Sequence, residues 1–501
     1  MPKFGFAIDN RVCIGCHACT VACKSEHDVP LGVNRTWVKY IEKGAFPDAR
    51  RSFSVQRCNH CDDAPCVEIC PVTSLYRRPD GIVDFDSDRC IGCTACMQAC
   101  PYDAIYLDPN TLTAAKCNYC THRVDAGYEP ACVVVCPVEA IVSGDLDDPE
   151  SRISLLDRME RVQYPKVEKG TKPKLFYVGG ETAALDPSEA APRTNYLWSG
   201  DDHGVTPAML DAAENEAVEQ ARARRVYDAK RTPNTWGWKV SAYITTKAIA
   251  AGLVLVPFLL YLFSATDSVM PVSTAVMSMI FLAITGALLV ADLKRPARFH
   301  YVLLRPQWKS WLVRGAYIIT AFVPALLLTV AADFFGASRA AQLVVGGATA
   351  ALAAGAAVYT AFLFAQAKGR DYWQSPLLPV TMLVDALVAG AAVLALWGTM
   401  QSAAIIERSW LGIGTASLAL LVAAEFLPKH QTRNAARTAS LILWGQYRNM
   451  FWLGAITIGL VLPGLLLMLD TAIPVAALLL LAGIAIRNHI VVQAPQQIPL
   501  S

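Results

Sequence analysis

All sixteen cysteines of this 501-residue chain lie between Cys13 and Cys136. They stand in four groups of four. The first is Cys13, Cys16, Cys19 and Cys23, in "CIGCHACTVACK". The second is Cys58, Cys61, Cys66 and Cys70, in "CNHCDDAPCVEICP". The third is Cys90, Cys93, Cys96 and Cys100, where the opening rhythm returns as "CIGCTACMQAC". The fourth is Cys117, Cys120, Cys132 and Cys136, from "CNYC" and "CVVVCP". Proline follows the last cysteine of three groups, as Pro71, Pro101 and Pro137, and Lys24 takes its place in the first.

The opening "MPKFGFAIDNRVC" has no apolar h-region and no twin-arginine tag, so the cysteine-rich part is expected on the cytoplasmic side. Structural disulfides are disfavoured there, and this density of thiols points to metal. Zinc sites also use CxxC pairs, but zinc does not account for a three-cysteine run closed by C-x3-C and repeated. Groups one and three match C-x2-C-x2-C-x3-C. Two-residue gaps let one tight loop wrap three thiolates around a cubane, while the fourth thiolate serves a neighbouring cluster. Sixteen cysteines taken four at a time give four [4Fe-4S] clusters. His17, His60 and His122, next to the cysteines, read as loop residues hydrogen-bonding near sulfur. The net charge of +2 argues against a nucleic-acid partner.

With "GDLDDPESRI" and "GTKPKLFYV" downstream, residues 1–180 resemble the four-cluster electron-transfer subunit of the complex iron–sulfur molybdoenzymes. That resemblance implies an α+β double ferredoxin-like iron-sulfur domain with crossed ligation. Cys13, Cys16, Cys19 and Cys136 would hold one cluster. Cys117, Cys120, Cys132 and Cys23 would hold its neighbour. Cys58, Cys61, Cys66 and Cys100 would hold a third, and Cys90, Cys93, Cys96 and Cys70 a fourth. It also implies a cytoplasmic catalytic partner carrying a molybdenum or tungsten pterin cofactor.

Residues 181–235 are rich in Ala, Glu, Arg, Asp and Pro and read as a polar linker. Within it "DAAENEAVEQARARRVYDAKR" has helical spacing of Glu and Arg. From residue 236 onward the chain changes character. Eight apolar runs of membrane-spanning length are expected at about 240–264, 269–292, 312–333, 339–366, 376–399, 407–427, 449–469 and 471–488. The fold expected for 236–501 is therefore an all-α bundle of eight transmembrane helices. Lys294, Arg295, Arg298, Arg305 and Lys309 fill the second connection. Lys368 and Arg370 fill the fourth, and Lys429, Arg433, Arg437 and Arg448 the sixth. The opposite connections hold Arg339 and Arg408. The basic side belongs in the cytoplasm, which places the chain in the inner membrane with its iron-sulfur domain inside. The eight histidines, at 17, 27, 60, 122, 203, 300, 430 and 489, avoid the middle of the spans, so no haem is expected.

"LVADLKRPARFHYVLLRPQWKSWLVRGAY" and "YTAFLFAQAKGRDYWQSPLLP" resemble the polysulfide-reductase type, NrfD-like membrane anchor, over roughly 235–501. That resemblance implies a natural fusion of two subunits and a quinone, menaquinone or ubiquinone, in the first four-helix bundle. The candidate quinone-binding residues are Tyr243, Lys247, Asp292, Arg298, Tyr359 and Gln366. Tyr243 and Tyr359 would contact the head group and Asp292 would relay protons. An ionisable group inside a span costs roughly 2.5–3.5 kcal/mol on insertion scales. Lys247 and Asp385, at similar depth in spans one and five, are therefore expected to pair or to line one polar path. The chain shows no substrate-activating catalytic residues, so its own chemistry would be quinone reduction or oxidation. Two alternatives stay open: the same wire serving a hydrogenase or cytochrome complex, and a redox-driven proton-translocating module.

Overall fold

The computed structural model describes residues 2–44, 47–187, 189–191, 223–229, 235–263, 269–400, 408–468 and 472–501. They belong to two compact units, residues 1–233 with 499–501, and residues 234–498.

The first unit is α+β. Strand β1 (Phe4–Asp9) is central in one four-stranded sheet. Two further strands, β2 (Thr36–Lys43) and β3 (Arg50–Arg57), form an antiparallel pair with Trp37 opposite Gln56 and Ile41 opposite Ser52. Two short hairpins follow, β4 (Leu75–Arg77) with β5 (Val83–Phe85), and β6 (Ile105–Leu107) with β7 (Ala114–Lys116). The sheet around β1 is completed by β8 (Ile141–Asp145), β9 (Val162–Gln163) and β10 (Leu175–Val178), in the order β8-β1-β10-β9. Ala7, Val142, Ile153, Phe176 and Val178 form its core.

Residues 190–191 and 223–227, read from the sequence as linker, are β11 (Ala190–Ala191) and β12 (Ala223–Tyr227), and β12 pairs with β2. The end of the expected polar helix is thus a strand: Arg225 pairs with Ile41, and Glu42 draws in Arg224. Asp228 and Ala229 after it are not helical, and the remainder of that expected helix lies outside the described residues.

Each cysteine group turns through a loop into a short helix. Helix α1 (Ala18–Glu26) follows the CxxC pair of the first group, α2 (Pro65–Ile69) that of the second and α3 (Ala95–Ala99) that of the third, and each carries the group's third cysteine. The fourth group opens α4 (Thr121–Val124) and places Cys132 on α5 (Ala131–Val134); α6 (Arg152–Met159) and α7 (Thr182–Leu185) follow. The repeated "CIGC" folds the same way twice. Gly15 and Gly92 have φ of 68° and 69°, and His17 and Thr94, just before α1 and α3, have 61° and 56°. Proline decides where these helices stop, because the residue before proline is driven out of the helical region. Cys70 and Cys100 are extended and end α2 and α3. With Lys24 in place of proline, α1 runs on past Cys23 to Glu26.

The second unit is helical. It contains α8 (Trp238–Phe263), α9 (Val272–Asp292), α10 (Trp311–Phe334), α11 (Arg339–Gln366), α12 (Leu378–Met400) and α13 (Arg408–Phe426). An amphipathic helix, α14 (Arg433–Leu443), occupies the connection where Arg433 and Arg437 were expected in a loop. Then come a shorter apolar helix, α15 (Met450–Leu466), and α16 (Ile473–Gln493). Among the described residues seven helices are long and apolar enough to cross a membrane. Residues 450–461 of α15 wind as a π-helix, with Thr457 Oγ1 donating to the Trp452 carbonyl. The last span was expected at 471–488 but runs to Gln493, carrying Arg487, Asn488 and His489.

Helix α8 is the hub. It packs against α9, α11, α12 and α16. Glycine permits its closest crossing: a Cβ on Gly252 would collide with the Ala386 carbonyl oxygen, and one on Gly390 with the Gly252 backbone. Apolar surface gives no drive for helix association in lipid, so close backbone contact and hydroxyl bonds serve instead. Ser278 donates to the Ala250 carbonyl at 2.8 Å, and the Thr246–Thr285 and Thr329–Thr349 hydroxyls meet at 2.8 and 2.7 Å.

Candidate functional sites: thiol clusters and a polar nest between helices

Because α1 packs on α5 and α2 on α3, cysteines from distant groups are drawn together. Cys13 lies within electrostatic reach of Cys16 and Cys136, and Cys19 of Cys13. Cys23 interacts with Cys132 and Cys120, and Cys117 with Cys23 and Cys132. Cys66 interacts with Cys58, Cys61 and Cys100. Cys96 interacts with Cys93, Cys90 and Cys70. Electrostatic interactions also link Cys19 to Cys132, Cys117 to Cys58 and Cys96 to Cys66.

Cys58, Cys61, Cys66 and Cys100 line one small cavity, with Pro65, Val83 and Ile105 as apolar wall. Burial, reinforced by neighbouring sulfurs, pushes the Cys19 thiol up to about 11 and Cys23 and Cys100 up to about 12. Four buried thiols around one space become stable thiolates only with cationic metal between them. The donor set fits an iron–sulfur cluster.

Exposure varies in an ordered way along the sets. Cys16 is exposed, and Cys13, Cys136 and Cys93 are half-buried. The other twelve are buried. Around the first set Val12, Ile14, Val21, Val134 and Val135 are exposed, Val21 at 64%.

The histidines differ from expectation. His60 accepts the Val83 N–H at Nδ1, His122 pairs with Glu26 at 2.7 Å, and His17 packs against Tyr40 and Tyr227. Among the described residues the histidine that reaches a sulfur is His27, whose Nε2 is 3.1 Å from Cys120 Sγ. Burial lowers its pKa to about 4, which keeps the ring neutral. No spacing rule announces it, since it lies beyond the end of the first cysteine group.

In the second unit, Tyr243 and Lys247 stand one turn apart on α8 and face Tyr359 and Thr360 on α11. Lys247 Nζ donates to Thr360 Oγ1 at 2.5 Å and sits 4.2 Å from the centre of the Tyr359 ring. Both tyrosine hydroxyls interact with Thr360, and Tyr243 also feels the Tyr359 hydroxyl and Asp292 at the end of α9. Tyr243, Lys247, Tyr359 and Thr360 are all buried. Thr360 is the node of this nest, and the sequence reading missed it because a threonine in an apolar span has no distinguishing pattern. Gly315 on α10 makes room for the Tyr359 ring, which a Cβ at that position would strike. Gln366 stands apart as a helix clamp: its Oε1 accepts the Trp311 N–H at 2.8 Å and its Nε2 donates to the Lys309 carbonyl at 2.7 Å. Arg298 is half-buried in the turn Pro296–Arg298.

Lys247 and Asp385 do not pair. Asp385 forms a buried ion pair with Arg487 of α16, a residue that sequence reasoning gave no partner. This pair, with Glu425 and Asn488, lines a small open cavity. Asn488 donates to Thr245 Oγ1 at 3.1 Å.

Residues 227–499 match the family described as polysulphide reductase, NrfD. Residues 12–75 and 50–146 each match a 4Fe-4S dicluster domain. A tetrathionate reductase subunit of Salmonella typhimurium is 42% identical over 37% of this chain and 76% of its own length. A polysulfide reductase polypeptide of Wolinella succinogenes is 43% identical over 37% of this chain and 98% of its own. The arsenate respiratory reductase iron-sulfur subunit ArrB of a Shewanella strain is 34% identical over 35% of this chain and 96% of its own. The chain is thus a multi-pass membrane protein of the polysulphide-reductase NrfD family, fused to a 4Fe-4S electron-transfer domain of the kind found in these reductase subunits.

Proposed function

We propose that this chain is the electron-transfer and membrane-anchor subunit of a respiratory oxidoreductase complex, joining a catalytic subunit to the quinone pool. The observation that carries this reading is that the fold draws cysteines of distant groups together, Cys13 with Cys136, Cys23 with Cys120 and Cys132, Cys66 with Cys100 and Cys96 with Cys70. Cys13, Cys16, Cys19 and Cys136 would hold the first cluster, and Cys23, Cys117, Cys120 and Cys132 the second. The third falls to Cys58, Cys61, Cys66 and Cys100, and the fourth to Cys70, Cys90, Cys93 and Cys96. The bridging interactions Cys19–Cys132, Cys117–Cys58 and Cys96–Cys66 support a linear order, first to fourth. When bound, such clusters supply one-electron transfer.

The protein's part is to hold the sulfurs, exclude water from the inner sets and leave the end sets near the surface. The half-buried and exposed cysteines belong to the first and fourth sets, which suits electron entry and exit at the ends. The valines and Ile14 around the first set form an apolar rim for a partner. By kinship with subunits of tetrathionate, polysulfide and arsenate reductases, that partner is a catalytic subunit, and a molybdenum or tungsten pterin is its expected cofactor. The basic connections favour a cytoplasmic iron-sulfur domain on the inner membrane.

In the membrane unit, Tyr243, Tyr359 and Lys247 offer hydroxyl and amino N–H donors to quinone carbonyl oxygens, with Asp292 nearby as a proton carrier. Eight crossings complete the anchor if α15 spans in its π-wound form. Rapid mixing of the full-length complex with menaquinol or ubiquinol tests the reading: quinol reduces the clusters in the wild type and does so about a hundredfold more slowly in Tyr359→Phe, the smaller end of what a positioned acid–base group supplies. Cluster reduction by quinol at an unchanged rate in that variant would remove Tyr359 from the site.

A second reading is favoured by the cavity around Asp385, Glu425 and Arg487, which suits a proton path through the anchor. Protons moved per electron in sealed vesicles separate the two readings.

A further inference from the structure

Arg57 is buried to 1% exposure among the cysteines, at the end of β3 and one residue before Cys58. Its Nη1 donates to Cys132 Sγ at 3.0 Å. Its charge also acts on Cys19, Cys23, Cys117 and Cys120, so it reaches every cysteine of the second set and one of the first. The guanidinium lies 4.5 Å over the Phe6 ring. Its Nε and Nη2 are buried with no hydrogen-bond partner. Among the described residues no carboxylate forms an ion pair with it.

A buried guanidinium with two idle donors and no carboxylate is costly by itself. The cost disappears if the sulfurs it faces carry negative charge. A cubane held by four thiolates does so in both its oxidation states, and its sulfur atoms accept hydrogen bonds. The more negative, reduced state gains more from a fixed cation and from N–H donors. By comparison, the nearby ammonium of Lys116 is directed to two carbonyls, those of Val83 and Cys117.

We propose that Arg57 is a positioning residue that raises the reduction potential of one cluster, that of Cys23, Cys117, Cys120 and Cys132, by donating to the Cys132 thiolate and to cluster sulfur. This rests on the four-cluster reading above. It makes that cluster an electron-holding station inside the wire, and its charge spreads weakly to the first cluster through Cys19. Lysine would not reproduce it, since one compact ammonium replaces a planar fork of donors.

The test is a potentiometric titration followed by electron paramagnetic resonance, on the full-length chain in mild detergent, with iron counted in every sample. Wild type, Arg57→Gln and Arg57→Lys are compared. A Cys132→Ser variant marks which signal belongs to the second cluster. In Arg57→Gln that signal is expected to become at least tenfold harder to reduce, about 59 mV for one electron. The same signal shifts less in Arg57→Lys, and the third and fourth clusters hold. Unchanged potentials at full iron content, or equal shifts of all four, would overturn the proposal. If Arg57→Gln loses iron, Arg57→Lys decides: a fall confined to the marked signal supports the role, and no fall removes it. Wild-type iron far below ~16 atoms per chain would instead sink the four-cluster reading beneath it.

Discussion

Lys247 on α8 donates to Thr360 Oγ1 on α11 at 2.5 Å, which ties the two helices that carry Tyr243 and Tyr359. The amino group is buried and lies over the Tyr359 ring, so it also orients that ring. Lys247→Met should lower quinone-dependent turnover by about 10²-fold, in the range of a lost positioned proton donor. Thr360→Val should cost about tenfold, the scale of one buried hydrogen bond. Steady-state quinol oxidation with a dye acceptor measures both. Equal, small effects on turnover would make the bond a packing feature only.

Gly315→Ala should act on the same site from outside it. The added methyl would overlap the Tyr359 ring, so α10 must move or the ring must turn. Overpacking of this kind costs roughly 1–3 kcal/mol. A rise in apparent KM for quinol with clusters still reducible by dithionite is the expected pattern. Unchanged quinol kinetics would place the working face of Tyr359 elsewhere.

Asp385 and Arg487 form a buried pair, and removing either partner leaves the other uncompensated, at about 3–5 kcal/mol. Asp385→Asn and Arg487→Met should therefore lower detergent stability, while the double variant Asp385→Leu with Arg487→Met should recover most of it. If the double variant keeps electron transfer but moves fewer protons per electron, the cavity beside the pair is a proton path. An unchanged stoichiometry would leave the pair as a structural tie between α12 and α16.

Glu42 is held by Arg224 from β12 and by Arg51 from β3, the latter at 2.8 Å. The Arg224 bond first, then Arg51, keeps its carboxyl below the ordinary glutamate value. A lowered folded value means this stabilisation is present above the ordinary value of 4.5 and fades as pH falls through the folded value. Arg224→Ala should cost ~0.2–1 kcal/mol at neutral pH, since these groups are partly solvated. The gap to wild type should narrow below pH 4.5, measured by proteolysis of residues 181–235. A constant gap would mean that packing, not charge, holds β12.

Much of this was legible beforehand, for reasons that differ by region. The cysteine groups act through local spacing, and local backbone obeys it: Gly15 and Gly92, or Cys70 and Cys100 before proline, repeat their conformations. Long apolar runs mark helices equally well. What escaped depends on distant partners. Ala223–Tyr227 has helical composition, yet pairing with β2 overrides that preference. Arg487 lies at the polar end of an apolar run, where only Asp385 across the bundle gives it a place inside. Lys247 and Asp385 share a depth, but depth does not fix the direction a helix faces.

The most direct measurement is the iron, sulfide and zinc content of the full-length chain purified in mild detergent. Four [4Fe-4S] clusters require ~16 iron and ~16 labile sulfide atoms per chain. Substituting Cys100 by serine should then disturb the cluster that Cys58, Cys61 and Cys66 share with it and leave the cluster of Cys93 and Cys96 intact. About half that iron, or zinc in its place, would contradict the four-cluster wire on which the rest depends.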